Sequence, residues 1–171
     1  MKPTVREIAV FGVLGALMFA SDIAMEALPN IHLIGVFIIA ATVVYRHKAL
    51  YLLYVYVFLG GLYAGFALWW IPYLYVWTVL WGVTMLLPKT MPKWLEPIVY
   101  AAVCGLHGLL FGVLYAPSQA LLFGLNGEQM LAWIAAGLPF DVIHAIGNAV
   151  GGLLICPIIL ILKKTKEPIR G

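Results

Sequence analysis

The chain has 171 residues, of which 64% are apolar or aromatic and 10% are charged, and its formal net charge is +3. The surface of a soluble domain of this size needs more charged side chains than this chain has. The composition therefore excludes a soluble globular protein and predicts an all-α integral membrane protein. The basic residues form short clusters between apolar segments without interleaved aromatic residues, which excludes a nucleic-acid-binding surface.

The hydropathy pattern predicts a single domain, residues 1–171, built as a compact bundle of six transmembrane helices. We predict helices over residues 5–25, 31–45, 49–68, 71–87, 97–116 and 139–162. Residues 49–88 carry no charged side chain and are too long for one crossing, so we expect a turn near Pro72, where a backbone donor is lost. Residues 117–138 are too polar to span and are predicted to form an outer loop or lid.

The distribution of charge predicts the orientation of the bundle. With six crossings, all ten basic residues fall on one side: Lys2, Arg6, Arg46, Lys48, Lys89, Lys93, Lys163, Lys164, Lys166 and Arg170. Because loops rich in Lys and Arg stay in the cytoplasm, this side and both termini are predicted to be cytoplasmic. The opposite side carries Asp22, Glu26, His32, Glu128, Asp141 and His144.

The first helix has two chemically different faces. Gly12, Ala16 and Ala20 recur every four residues and form a shallow stripe on which another helix can pack closely in lipid. Asp22 and Glu26 lie nearly opposite, because a two-residue step turns a helix by about 200°. We expect these carboxylates to meet a polar ligand. A second interpretation is that they lie in the headgroup layer and only end the helix.

The last helix carries Asp141, His144 and Asn148 at i, i+3 and i+7, and therefore on one face. Asp141 follows Pro139 and is also explained as a residue that favours the helix start. His144 and Asn148 lie deeper, where a polar side chain needs a cavity or an interhelical hydrogen bond. We therefore expect His144 and Asn148 to contribute to a binding site, with Asp141 as a third member on the same face.

Aromatic residues of the fourth helix complete the predicted substrate site. Trp70, Tyr73 and Trp77 follow one another at near-helical spacing and could stack on a planar ligand, although membrane anchoring or ordinary packing is the more common explanation for any one such residue. The predicted site also includes His32, whereas His107 is expected to be a core histidine with its own partner. No catalytic, nucleotide-binding or metal-binding motif occurs, so we expect neither an enzyme nor a cofactor.

The six-helix bundle, the Gly12/Ala16/Ala20 stripe and a last helix that opens with Pro139, Phe140 and Asp141 resemble the substrate-binding S components of energy-coupling factor (ECF) transporters, over essentially the whole chain. The resemblance implies capture of a vitamin-like micronutrient near the outer surface of a prokaryotic plasma membrane. It further implies that residues 28–33 and 117–138 form a gate. The stripe would dock onto a transmembrane coupling subunit that two ATPase subunits drive.

The chain departs from the nickel and cobalt branch of that family, because Lys2 and not a histidine follows the initiator methionine, so metal import is disfavoured. The predicted outer side has no Lys or Arg, which argues against anionic ligands and favours a neutral or cationic ring compound. Three other hypotheses stay open. They are a self-sufficient proton-coupled carrier using Asp22, Glu26 and Asp141, a membrane enzyme using Asp141, His144 and His107, and a scaffold subunit without a ligand.

Overall fold

The computed structural model describes residues 3–166, and every regular element within that range is a helix. The α-helices are α1 (Val5–Ala24), α2 (Ile34–Tyr45), α3 (Ala49–Ala64), α4 (Tyr73–Leu86), α5 (Glu96–Leu109), α6 (Phe111–Phe123), α7 (Gly127–Gly151) and α8 (Ile155–Lys166). Short 3-10 turns join α2 to α3 and α7 to α8. Lys2 and Arg170, two members of the predicted basic clusters, lie outside the described residues.

Four helical stretches of the described chain are long and apolar enough to cross a membrane. They are Val5–Ala24, Ile34–Ala64, Glu96–Phe123 and Gly127–Thr165. Helix α4 has 14 residues, fewer than the roughly 20 needed to span a bilayer without tilt or distortion. The described part of the chain is therefore all-helical and contains segments that are able to span a membrane.

The prediction of an outer loop over residues 117–138 is wrong. This segment forms the second half of α6 and the first half of α7, and Pro117 and Pro139 both lie inside helices. Asn126 begins α7 through a capping box, in which its side chain accepts from Gln129 N and the Gln129 side chain accepts from Asn126 N. The chain reverses at Gly124, whose φ of +66° suits a residue without a Cβ.

Helix α2 is the most enclosed element and explains the position of the core. Ten of its twelve residues are buried, and it packs against α4 and α8. A helix that is apolar on all sides is stable only when other helices or lipid cover it completely. The outer helices pack in two further pairs, α1 with α3 and α5 with α7.

Helix α5 approaches α7 closely through glycines. A Cβ added at Gly108 would lie 2.9 Å from the backbone of His144, and one added at Gly105 would lie 3.1 Å from the Cβ of Ala149. These distances leave no room for a side chain at Gly108. The glycines thus bring the backbones of the two helices together, as small residues do between membrane helices.

Helix α1 uses one face for packing and leaves another open. Phe11, Gly15 and Met18 are buried, and a Cβ added at Gly15 would collide with Val55 of α3. By contrast, the stripe Gly12/Ala16/Ala20 has Ala16 and Ala20 exposed, and a Cβ added at Gly12 would meet nothing within 4 Å. The stripe has no partner within the described chain.

The basic clusters meet at one end of the bundle. Arg6 donates to the carbonyl of Thr165 over 2.9 Å, and Lys48 pairs with Glu7 over 2.6 Å. Arg46 donates to the carbonyl of Met85 over 2.8 Å. These contacts join the start of α1, the α2–α3 turn, the end of α4 and the end of α8, an end that we term the basic end.

Candidate functional site

A pocket with a volume of about 190 Å³ opens at the far end of α1. Helix α1 has 20 residues and a length of about 30 Å, so this pocket lies roughly one bilayer thickness from the basic end. It is lined by Phe19, Asp22, Ile23, Glu26, Tyr56, Val57, Gly60, Tyr63, Ala64, Trp69 and Tyr73. We call it the carboxylate pocket. Two acids and four aromatic side chains with polar atoms give it the chemistry to hold a polar or cationic ring.

Asp22 is anchored in this pocket by a tyrosine of the neighbouring helix. The hydroxyl of Tyr56 donates to Asp22 Oδ2 over 2.9 Å. Asp22 continues the face of α1 that packs on α3, whereas Glu26 lies beyond the helix end and is exposed. The two predicted carboxylates therefore share one pocket, with Asp22 fixed and Glu26 at its rim.

A second group of polar side chains lies deeper, between α2, α4, α5 and α7. The rings of His32 and His144 lie 4.6 Å apart between centroids, and His32 lies 5.6 Å from Trp77. The centroid of the His107 ring lies 5.3 Å from that of Trp77, which therefore contacts two histidines. We term His32, Trp77, His107, His144 and Asn148 the histidine cluster.

Each member of the histidine cluster has one buried polar atom without a hydrogen-bond partner in the described part of the chain. These atoms are His32 Nδ1, Trp77 Nε1, His107 Nδ1, His144 Nε2 and Asn148 Oδ1. Buried polar atoms in proteins are normally hydrogen-bonded, and an unpaired one costs about 1–3 kcal/mol. Five such atoms on side chains of neighbouring helices are therefore an unusual polar feature of the described structure.

In His107 and Asn148 the second polar atom of the side chain has a hydrogen-bond partner. That partner determines whether the unpaired atom is a donor or an acceptor. His107 Nε2 lies 3.0 Å from the carbonyl oxygen of Val76. Because a carbonyl only accepts, the neutral ring carries its proton on Nε2, and Nδ1 is an acceptor. Asn148 Nδ2 donates to the carbonyl of Cys104 over 3.2 Å, which leaves Asn148 Oδ1 as a second acceptor.

His32 is uncharged at neutral pH. Burial lowers its pKa to about 3, and the nearby His144 and His107 rings contribute to the same shift. No described group of three or more His, Cys, Asp or Glu side chains is arranged to hold a metal ion. The histidine cluster thus offers hydrogen-bonding atoms and aromatic surface.

Trp77 connects the carboxylate pocket with the histidine cluster. Its ring lies 6.0 Å from Tyr73 and 6.5 Å from Tyr56, which both line the pocket, and also contacts His32 and His107. The carboxylates and the histidines therefore do not line the same pocket. They belong to two adjoining regions with aromatic side chains between them.

Two of the predicted site residues have other contacts. Trp70 donates through Nε1 to the carbonyl of Val57 over 2.7 Å, and its neighbour Trp69 lines the pocket instead. Asp141 accepts from Gly112 N, with both oxygens at 3.2 Å, and so joins α7 to the start of α6. The roles of these residues in binding stay predictions, as do those of the remaining site residues.

The structure adds side chains that the sequence analysis left out of the site. Tyr56 and Tyr63 are seven residues apart on α3, and therefore on one face, with Gly60 between them. The seven-residue spacing of Tyr56 and Tyr63 is apparent in the sequence. Only the packing of α3 against α1, however, brings these side chains to the pocket of Asp22. Phe111, 5.0 Å from His144 and 5.5 Å from Trp77, forms an aromatic wall of the histidine cluster.

The fold and the site define a helical membrane protein with a polar pocket at one end and a buried polar cluster beneath it. Comparison with protein-family models, with curated proteins and with solved structures found no match. Its function is therefore inferred from the site itself.

Proposed function

We propose that this protein is the substrate-binding S component of an ECF-type importer. In this proposal it crosses a prokaryotic plasma membrane six times, through α1, α2, α3, α4, the α5–α6 pair and the α7–α8 pair, with both termini in the cytoplasm. It captures a vitamin-like neutral or cationic micronutrient from outside. It acts as a carrier subunit and not as an enzyme.

The observation that carries the proposal is the division of α1 into two faces. On one face, Asp22 reaches Tyr56 and lines the carboxylate pocket. On another face, Ala16 and Ala20 are exposed, and Gly12 has open space before it. One helix thus joins a region suited to a polar ligand with a smooth surface suited to a second membrane protein.

The mechanism follows from these two faces. The substrate enters the carboxylate pocket, where Asp22 and Glu26 attract a positive group and Tyr73 and Trp69 cover a ring. Every backbone group in lipid needs an internal partner, so helices resist local unfolding and the bundle moves largely as a unit. Release inward then follows when the transmembrane coupling subunit, docked on the stripe and driven by two ATPases, reorients the bundle.

The test separates docking from binding. Ala16→Trp places a large ring on the stripe, whereas the control Leu62→Trp changes an exposed apolar residue of α3. We expect two ATPase subunits with P-loop sequences to co-purify from the native host with the wild type and with Leu62→Trp, and not with Ala16→Trp. Small molecules extracted from all three proteins and identified by mass spectrometry should be the same.

Two results would overturn the proposal. The first is a wild-type protein that co-purifies with no ATPase from its native membrane. The second is import of the extracted molecule by vesicles that contain only this protein, which would instead support a self-sufficient proton-coupled carrier.

A further inference from the structure

A second cavity, with a volume of about 500 Å³, lies at the basic end of the bundle. It is bounded by the end of α2, the turn between α2 and α3, the end of α4 and one face of α5. Its polar lining is formed by Arg46, His47, Thr84, Lys89 and Tyr100. His47 and Lys89 are exposed, so the cavity opens to the surface of the protein. We call it the basic cavity.

The lining of the basic cavity carries positive charge and no carboxylate. Arg46 and Lys89 contribute a guanidinium and an ammonium group, and His47 adds an imidazole. Glu96, one turn before Tyr100 on α5, is not part of the lining. Lys89 has no ion-pair partner in the part of the chain that the structure describes. A concave surface with this charge attracts an anion.

Two lining side chains hold hydrogen-bond donors that the packing of the helices does not use. Arg46 donates only through Nη2, to the carbonyl of Met85, although a guanidinium carries three nitrogen donors. Tyr100 is 5% exposed, and its hydroxyl has no hydrogen-bond partner among the described residues. Buried hydroxyls in proteins are normally paired. Oxygen acceptors on a bound anion would pair with both side chains.

Arg46 is held in an unusual backbone conformation. Its φ is +55°, in a region that residues with a Cβ rarely adopt. The indole of Trp81 donates to its carbonyl over 3.2 Å, which adds to the bond between Arg46 and Met85. These contacts fix Arg46 at the cavity before any ligand binds. Backbone strain of this kind is common at binding sites.

The rest of the lining identifies the kind of anion. It is apolar and is formed by Val43, Val44, Met85, Leu87 and Pro88. A hydrated inorganic ion gains nothing from such a surface, whereas the glycerol carbons and first methylenes of a lipid are stabilised by contact with it. The basic end also lies about one bilayer thickness from the carboxylate pocket, which is the level of the lipid headgroups. Basic pockets between membrane helices at this level are suited to anionic headgroups.

We propose that the basic cavity binds the phosphodiester headgroup of an anionic phospholipid. The phosphate oxygens accept from Arg46, Lys89 and the hydroxyl of Tyr100, and the adjoining carbons of the lipid contact the apolar lining. The bound lipid joins the α2–α3 turn to α4 and α5. This site is distinct from the substrate site of the proposed function and does not depend on it.

The experiment compares two phospholipids on the detergent-purified full chain. Dioleoylphosphatidylglycerol is anionic, and dioleoylphosphatidylcholine has the same chains and phosphodiester but no net charge. Native mass spectrometry measures the dissociation constant of the first lipid bound. We expect phosphatidylglycerol to bind more tightly than phosphatidylcholine to the wild type.

Two lysines of the same loop provide the matched variants. Lys89→Gln removes a charge from the cavity and should weaken the binding of phosphatidylglycerol about fivefold, the contribution of one lysine near an anionic lipid. Lys93→Gln removes the same charge from an exposed residue outside the lining and should leave the dissociation constant unchanged. Arg46 is retained in both variants, because its bond to Met85 also joins the turn to α4.

Tyr100→Phe tests the buried donor. The substitution keeps the ring in the core and removes only a hydroxyl that has no partner among the described residues. Its unfolding temperature in lipid-free detergent should therefore match that of the wild type. Its affinity for phosphatidylglycerol should be about tenfold lower, because a hydrogen bond to a charged group is lost.

Four results would overturn the inference. They are equal binding of the two lipids, equal effects of Lys89→Gln and Lys93→Gln, displacement of phosphatidylglycerol by inorganic phosphate at equal concentration, and loss of ATPase co-purification in Lys89→Gln with unchanged lipid binding. The third would assign the cavity to a small phosphate, and the fourth to a protein partner. Lipid binding is measured on the isolated chain, so none of these results bears on the Ala16→Trp experiment.

Discussion

The two ring nitrogens of His107 differ in their surroundings, and this difference matters more than the burial of the ring. The sequence favoured a core histidine with its own partner, and Nε2 does have one in the carbonyl of Val76. Nδ1 does not. The adjacent Gly108 brings the backbone of α5 close to α7, but no residue pattern indicates which nitrogen of His107 stays unpaired.

The orientation of the Asp22 carboxylate also depends on a residue that is distant in the chain. The sequence placed it opposite the stripe of α1, and the structure adds the hydroxyl of Tyr56 as its partner. Tyr56 is 34 positions away, so only the contact between α1 and α3 brings the two together. The carboxylate is thereby oriented by a donor before any ligand arrives.

His32 gives a pH dependence of stability whose sign can be worked out. Its pKa is lowered from 6.5 to about 3 by folding, so between these values the unfolded chain binds the proton and the folded chain does not. The free energy of unfolding should therefore fall with decreasing pH, by up to about 1.4 kcal/mol per pH unit below pH 6.5. Thermal unfolding in detergent between pH 7 and pH 5 measures this slope.

The matched variant for this prediction is His32→Gln, which removes the titrating group and keeps a polar side chain. Its unfolding temperature should decrease less over the same pH range than that of the wild type. Groups far from His32 titrate equally in both proteins, so the difference between the two slopes reports His32 together with its interaction with the neighbouring His144 and His107 rings. Parallel curves would contradict the prediction.

At the scale of elements, the start of α1 could be predicted closely and the start of α7 could not. Thr4 and Glu7 form a capping box that begins α1 close to the predicted start, residue 5. The same motif at Asn126 and Gln129 begins α7, where the polar residues of 117–138 predicted a loop, and two prolines lie within α6 and α7. A proline costs one helical hydrogen bond, and packing of α7 against α5 and α6 offsets that cost.

The close contact between α5 and α7 leads to a prediction about stability. Gly108→Ala would bring a methyl group within 2.9 Å of the His144 backbone and the Asn148 side chain, so the helices must separate. Such overpacking costs about 1–3 kcal/mol. We expect a lower unfolding temperature for the detergent-purified variant than for the wild type.

Gly82→Ala is the control for this substitution. Gly82 lies inside α4, and a Cβ there would meet nothing within 4 Å. Alanine has a higher helix propensity than glycine, so this variant should be as stable as the wild type or more so. If both substitutions changed the unfolding temperature equally, close helix packing at Gly108 would not be the cause.

At the scale of the whole molecule, charge is divided between the two ends. The hydrogen bonds of Arg6 and Arg46 and the ion pair of Lys48 hold four chain segments together at the basic end. The carboxylate pocket lies at the other end of α1. This arrangement is the one expected when the basic end faces the cytoplasm, since positively charged loops are retained there.

The six-crossing orientation can be tested with single cysteines, in a background in which Cys104 and Cys156 are replaced by alanine. Glu128→Cys is exposed at the start of α7, on the predicted outer side, and Lys89→Cys is exposed at the basic end. A membrane-impermeant maleimide should label Glu128→Cys in intact cells. It should label Lys89→Cys only after the cells are permeabilised.

The opposite labelling pattern, or labelling of both cysteines in intact cells, would contradict the proposed orientation. Each variant also serves as the control for the other, because both side chains are exposed in the structure. A difference in labelling then reports the side of the membrane and not local burial.

The sequence by itself determined the helical class and the presence of helices that are apolar enough to cross a membrane. These properties depend on composition and on the 3.6-residue period, which local residues set. Only the tertiary structure decided that residues 117–138 belong to α6 and α7, that Tyr56 meets Asp22, and that five buried polar atoms of the described chain stay unpaired. Such features depend on contacts between residues far apart in the chain, and on which hydrogen bonds remain unfilled once the helices have packed.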